Sequence, residues 1–162
     1  MTVAPTSFLA RPLHQLRDKL LACPSWVTWC GGSTAANKNA YLIACPDRAP
    51  LPQSLIGYDP DGDLLRAGIA DGPSINALGL RLYFCAQALS GGTDGDVLTD
   101  FLNHVGAVIS ELQALPSDGG TSLVIDDIRI RVQPTRILAS ERDKNGDQVE
   151  MLFTLTTRSY SP

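Results

Sequence analysis

The chain has 162 residues, enough for one domain with its own hydrophobic core and short for two. Its 44% hydrophobic and 19% charged residues are typical of a globular protein and exclude an intrinsically disordered one. A formal net charge of −4 argues against an electrostatic grip on DNA or on an anionic membrane, because both need clustered lysines and arginines. No stretch approaches the length of a transmembrane helix and the start lacks the pattern of a signal peptide, so no membrane partner is expected.

The first predicted element is a helix over about residues 7–23. Four leucines recur at spacings of four, three and four residues, which predicts one buried helical face. They are Leu9, Leu13, Leu16 and Leu20. Pro12 is tolerated only in the first turn, so the regular helix is expected to begin near Arg11, and Pro24 is expected to end it.

A further short helical turn is predicted next, with Ser25 as its cap and two tryptophans three residues apart. At this spacing, Trp26 and Trp29 favour anchoring of a short helix to the core over stacking on a ligand. Gly31 and Gly32 are expected to break the chain.

A buried strand is predicted over Asn39–Cys45, after which the composition changes. The segment Pro46–Gly79 contains five prolines and five glycines, which predicts a long turn-rich connection or arm. We expect one short strand within it, near Ser54–Tyr58. The next strand is predicted over Leu80–Leu89, rich in apolar and aromatic residues.

The strongest periodic signal predicts a long amphipathic helix over residues 96–115, with Asp94 or Asp96 as its N-cap and Pro116 after its end. Nine apolar residues form one continuous stripe along it. They are Val97, Leu98, Phe101, Leu102, Val105, Val108, Ile109, Leu112 and Leu115.

The C-terminal third alternates as strands do. The apolar Ile128, Ile130 and Val132 are interleaved with the polar Arg129, Arg131 and Gln133, so one face is expected to be buried and the other solvated. A second strand is predicted over Thr135–Glu141, followed by a charged hairpin over 142–147 with an Asn-Gly turn. The last predicted strand has a buried face that carries Val149, Met151, Phe153 and Leu155. The chain 1–162 is therefore predicted to be a single α+β domain. Its mixed or antiparallel sheet of four to five strands would pack against the long helix and the N-terminal helix.

The four cysteines are interpreted as buried free thiols. Cys23, Cys30, Cys45 and Cys85 form no C-x-x-C pair and lie in apolar neighbourhoods. The two histidines, His14 and His104, are expected to be structural. A zinc site or a Cys–His nucleophile pair is therefore not expected.

Two acidic loops approach a calcium-binding pattern and then depart from it. In the loop that starts at Asp59, the sixth and twelfth positions are Leu64 and Ala70, where Gly and Glu are required. The loop that starts at Asp143 has Gln148 and Thr154 at those positions. Both are interpreted as turns without metal.

Other motifs of chemistry are incomplete. The glycine-rich 31–33 and 91–93 lack the ends of a phosphate loop or a dinucleotide-binding loop, and no serine-hydrolase elbow is present. Asp126 and Asp127 are expected on opposite faces of a strand, too far apart to share a proton. The sequence thus predicts no catalytic, cofactor-binding or metal-binding residue and no enzyme. Its informative surfaces are the 46–79 arm, the hairpin around Lys144, and a sheet face decorated by Arg129, Arg131, Glu150 and Arg158.

The order of elements resembles that of the tail-terminator (tail-completion) proteins of long-tailed bacteriophages. Three pieces carry the resemblance: the opening helix Leu9–Leu21 with the Trp-bearing turn after it, the helix Phe101–Leu112, and the ending. That ending consists of Ile128–Val132, an acidic–basic hairpin and Met151–Arg158. The long 46–79 arm departs from the family's pattern.

The resemblance implies a small α+β protein that forms a ring, usually a homohexamer, without enzymatic activity. Such a ring caps the finished tail tube, terminates tail assembly and joins the tail to the head through head-completion proteins of the neck. Its partners would be further copies of itself, the tail tube protein and a head-completion protein. DNA would pass through the lumen without specific binding. The expected location is the virion, after assembly in the host cytoplasm.

Two alternatives stay open. The chain could be another ring-forming connector, such as a head-closure protein, or a tail tube protein. From a different class, it could be a small-ligand-binding or enzymatic cytosolic domain that uses a cleft beneath the 46–79 arm.

Overall fold

The computed structural model describes residues 4–5, 7, 9–42, 52–62, 64–67, 74–87, 94–115, 123–137 and 148–161. Within them the chain forms four helices and six strands. In chain order they are α1 (Ala10–Leu21), α2 (Pro24–Trp29), α3 (Ser33–Asn39), β1 (Ala40–Leu42), β2 (Gln53–Tyr58), β3 (Leu64–Ala67), β4 (Ser74–Gln87), α4 (Asp94–Ala114), β5 (Val124–Ile137) and β6 (Gln148–Ser161).

The strands form one sheet in the order β1-β2-β4-β6-β5, with β3 paired to β4 as well. β2 pairs with residues 80–85 of β4 and β3 with residues 75–78, while β6 pairs along the whole opposite edge of β4. β2 and β3 therefore follow the same edge of β4 in line, like one strand interrupted by a turn. Only β1 pairs in parallel, so the sheet is mixed, and the predicted α+β fold is confirmed.

The helices cover one face of this sheet. On β4, Leu80, Leu82 and Phe84 point into the core and alternate with residues of the outer face, as the two-residue period of a strand requires. Their neighbours on β6, Phe153 and Leu155, are buried with them. α1 contacts β1 and β2, whereas α2 packs on α4. The helical layer thus runs from α1 over the β1 end of the sheet towards α4.

The N-terminal helix is confirmed, with one correction. Leu13, Leu16 and Leu20 are buried, and Pro12 lies in the first turn, where its missing N–H has no intrahelical partner in any case. Leu9, predicted on the same buried face, is 42% exposed because it lies at the N-cap, before the regular helix begins.

The tryptophan-bearing turn is α2, and its start differs from the prediction. Cys23 is the N-cap and Pro24 the first helical residue, so Ser25 lies inside the helix and does not cap it. Its hydroxyl and backbone N–H donate instead to the carboxylate of Glu111 on α4, at 2.5 and 2.9 Å. Trp26 is fully buried, which confirms that α2 is anchored to the core.

The Gly31-Gly32 break is also confirmed, because both residues have positive φ (82° and 134°), a region that favours glycine. The helix that follows, α3, was not predicted. Asn39, predicted to begin a strand, ends α3, and the described strand is Ala40–Leu42. Residues 43–45 of the predicted strand lie outside the described residues.

The 46–79 segment contains more regular structure than the sequence indicates. The predicted short strand is confirmed as β2, and the described part of the segment also contains β3 and the start of β4. Strand β4 therefore begins six residues before the predicted Leu80. Short apolar pairs such as Leu64-Leu65 carry little periodic signal, so their strand is determined by pairing with β4.

The long helix is confirmed as α4, but its apolar stripe is divided. Val97, Phe101, Val105, Val108 and Leu112 are buried against the core. In contrast, Leu98 and Leu102 are each 39% exposed. The apolar stripe of α4 is therefore wider than the surface of the sheet and α2 against which it packs.

The C-terminal strands differ most from the prediction. Residues 124–137 form one strand with register shifts near residues 126, 131 and 133–134, so Thr135–Ile137 belong to β5 and not to a separate strand. Ile130, predicted to be buried, is 57% exposed. The predicted hairpin over 142–147 lies outside the described residues, whereas the buried face of β6 is confirmed.

Candidate assembly surfaces

The described cysteines are structural in character. Burial raises the pKa of the Cys23 thiol to about 12, with a further contribution from the nearby Glu111 carboxylate. Burial also raises the pKa of the Cys30 thiol to about 12. Because the thiolate is the nucleophile and the metal ligand, such thiols are unreactive near neutral pH. Cys85 is buried and forms no disulfide, and Cys45 lies outside the described residues.

His104 has a packing role. Its ring stacks on Trp29 with centroids 5.0 Å apart and planes 3° apart, and its Nε2 atom lies 3.7 Å from Asp100 one helical turn earlier. His14 is half-buried on α1. In the described part of the chain, no three His, Cys, Asp or Glu side chains are grouped as metal ligands would be.

The acidic loop after β2 is a tight turn over the outer face of the sheet. The carboxylate of Asp59 accepts the backbone N–H of Asp61 at 3.2 Å, and the Asp59 backbone N–H donates to the carbonyl of Gly79 at 2.9 Å. A Cβ atom built on Gly79 would lie only 2.8 Å from the Cα of Gly62. Because Gly62 and Gly79 have no Cβ atoms, the turn can lie directly against β4. The loop that starts at Asp143 lies outside the described residues.

Asp126 and Asp127 do not lie on opposite faces, contrary to the prediction. A β-bulge shifts the register between Ile125 and Asp127, and a bulge adds one residue to the strand, so the two carboxylates both reach arginines of the outer face. Asp126 accepts from the Nε and Nη2 atoms of Arg158 at 2.7–3.0 Å. Asp127 accepts from Arg129 at 2.7 Å. Each carboxylate is therefore paired with a cation, and the two do not form an acid–base dyad.

The outer face of the sheet carries the charges that the sequence predicts there. Arg129 aligns with Thr154, which aligns with Arg81, across three neighbouring strands. Arg131 pairs with Asp61 at 2.9 Å, which links β5 to the turn after β2. These pairs are exposed and contribute only about 0–1 kcal/mol each. At a contact with another protein, such pairs contribute to alignment and specificity, because charges of both signs favour one orientation of the partner.

A set of exposed apolar side chains was not predicted. It consists of Leu98 and Leu102 on α4 and Ile130 on β5. Ile128 and Ile130 pair with Leu155 and Phe153, so they lie on the helix-covered face, but at the last strand of the sheet. Leu98, Leu102 and Ile130, together with Leu9, are the four large hydrophobic side chains that are exposed in the described structure.

Leu98 and Leu102 lie on the side of α4 that faces away from α2. His104 and Glu111 of α4 contact α2, and Leu102 lies about 160° around the helix from His104. A Cβ atom built on Gly106, on the same side as Leu102, meets nothing within 4 Å. The described residues thus leave this side of α4 partly uncovered.

The comparisons with known proteins show only distant structural likeness. No protein-family model matches the chain, and no curated protein matches it. Among solved structures, a chain from a "Virion of native gene transfer agent (GTA) particle" aligns over 95% of this chain and 100% of that chain, with 11% sequence identity and a TM-score of 0.40. A likeness of this degree carries no functional argument, so function is argued below from the chain's own residues.

None of the described helices is both long enough and apolar enough to span a bilayer.

Proposed function

We propose that the chain is a structural virion protein of the neck or tail end. It forms a ring, a homohexamer as in the family it resembles, that caps the tail tube, terminates tail assembly and joins the tail to the head. Its partners are further copies of itself, the tail tube protein and a head-completion protein. It acts by contact and not by catalysis.

The observation that carries the proposal is the contrast between the core and three exposed apolar side chains. The core buries aromatic and aliphatic side chains from every helix, and the tryptophans of α2 pack on Phe84 and Phe101. In contrast, Leu98 and Leu102 on α4 and Ile130 on the last strand of the sheet remain exposed. Exposed large apolar side chains on a protein with a well-packed core are typical of a surface that is covered on assembly.

The chemistry of the described residues supports the same proposal. The thiols of Cys23 and Cys30 are held protonated by burial, and the ring of His104 is stacked on Trp29. The carboxylates of Asp126 and Asp127 are neutralised by arginines. Each of these groups has a structural partner or a buried environment that accounts for it.

The test is electron microscopy of the purified full chain, alone and with the tail tube protein of the same virion. We expect discrete rings from the chain alone and tubes closed at one end by such a ring in the mixture. Long cylinders from the chain alone would identify a tube protein instead. A protein that never associates with tube ends would refute the terminator role.

A further inference from the structure

We draw no further inference here: the strongest candidate, the partly exposed apolar side of α4 that carries Leu98 and Leu102, carries nothing because no contact or charge pattern of the described residues selects an occupant and nothing in the structure shows what covers it.

Discussion

The close contact between Gly79 and Gly62 provides the sharpest test of the fold. Replacing Gly79 with Ala places a Cβ atom 2.8 Å from the Cα of Gly62 and 3.5 Å from the Cβ of Asp59. Carbon atoms attract each other at about 3.5–4.0 Å and repel strongly below that distance. Since the obstacle at Gly62 is backbone, no change of rotamer relieves it, and the whole turn must move away from β4 by about 1 Å.

The cost can be estimated from what that movement breaks. Overpacking of a well-packed site costs about 1–3 kcal/mol. Weakening the hydrogen bond from the Asp59 N–H to the Gly79 carbonyl adds about 0.5–1.5 kcal/mol. Alanine also lowers the backbone entropy of the unfolded chain, which stabilises the folded state by about 0.4–1 kcal/mol. We therefore expect Gly79→Ala to destabilise the protein by about 2 kcal/mol, within a range of about 0.5–4 kcal/mol. A loss of about 2 kcal/mol lowers Tm by roughly 4–8 °C for a domain of this size.

The assay is urea and thermal unfolding of the wild type, Gly79→Ala and Gly106→Ala at one protein concentration. Gly106 is the matched control, because it lies inside α4 with nothing within 4 Å of the added Cβ atom. There alanine is expected to stabilise by about 1 kcal/mol through helix propensity. A Gly79→Ala variant as stable as the wild type would refute the close packing of the 59–62 turn on β4.

Three further predictions follow from the helical layer. Glu111→Gln weakens both hydrogen bonds from Ser25, so we expect the free energy of unfolding to fall by about 1–3 kcal/mol. Urea titration measures this change, and an unchanged value would contradict a role of the Glu111 carboxylate in holding α2 against α4. The raised pKa of Cys23 means that above pH 9 the unfolded state binds fewer thiol protons than the folded state, so stability should fall between pH 9 and about 12, and less steeply in Cys23→Ala. Unfolding curves at pH 8 and pH 10 give the free energy of unfolding of the wild type and of Cys23→Ala. An equal decrease between the two pH values in both proteins would argue against the buried thiol. His104→Ala removes the stack on Trp29 and should cost about 0.5–1.5 kcal/mol, whereas His104→Phe should retain most of it; thermal unfolding of the pair distinguishes stacking from a requirement for imidazole.

The sequence predicts much of the fold because its longest elements have strong periods. The leucines of α1, the buried side of α4 and the alternation of β6 each repeat with the spacing of their element, and each is confirmed. α3 has no such signal. Its sequence, Ser-Thr-Ala-Ala-Asn-Lys-Asn, buries only Ala36 and Asn39, and contacts outside the helix stabilise it. The indole of Trp26 donates to the Ala36 carbonyl, and Arg17 donates to the Asn37 carbonyl.

The sequence likewise predicts only part of the candidate surfaces. Alternation in β5 and β6 predicts the outward-facing Arg129, Glu150 and Arg158, but it places Asp126 on the wrong face, since one inserted residue at a bulge reverses the alternation locally. No pattern in the sequence distinguishes a bulged strand from a regular one.

Composition and periodicity by themselves determine an α+β domain whose long helix is apolar over a broad stripe. Only the tertiary structure decides how much of that stripe is covered. Exposure depends on which elements lie beside the helix, and α2 contacts α4 on the side of His104 and Glu111, whereas Leu98 and Leu102 lie towards the other side. Leu98 and Leu102 have the same sequence pattern as the buried Phe101 and Val105. They are exposed because the elements that pack on α4 cover only part of its apolar stripe.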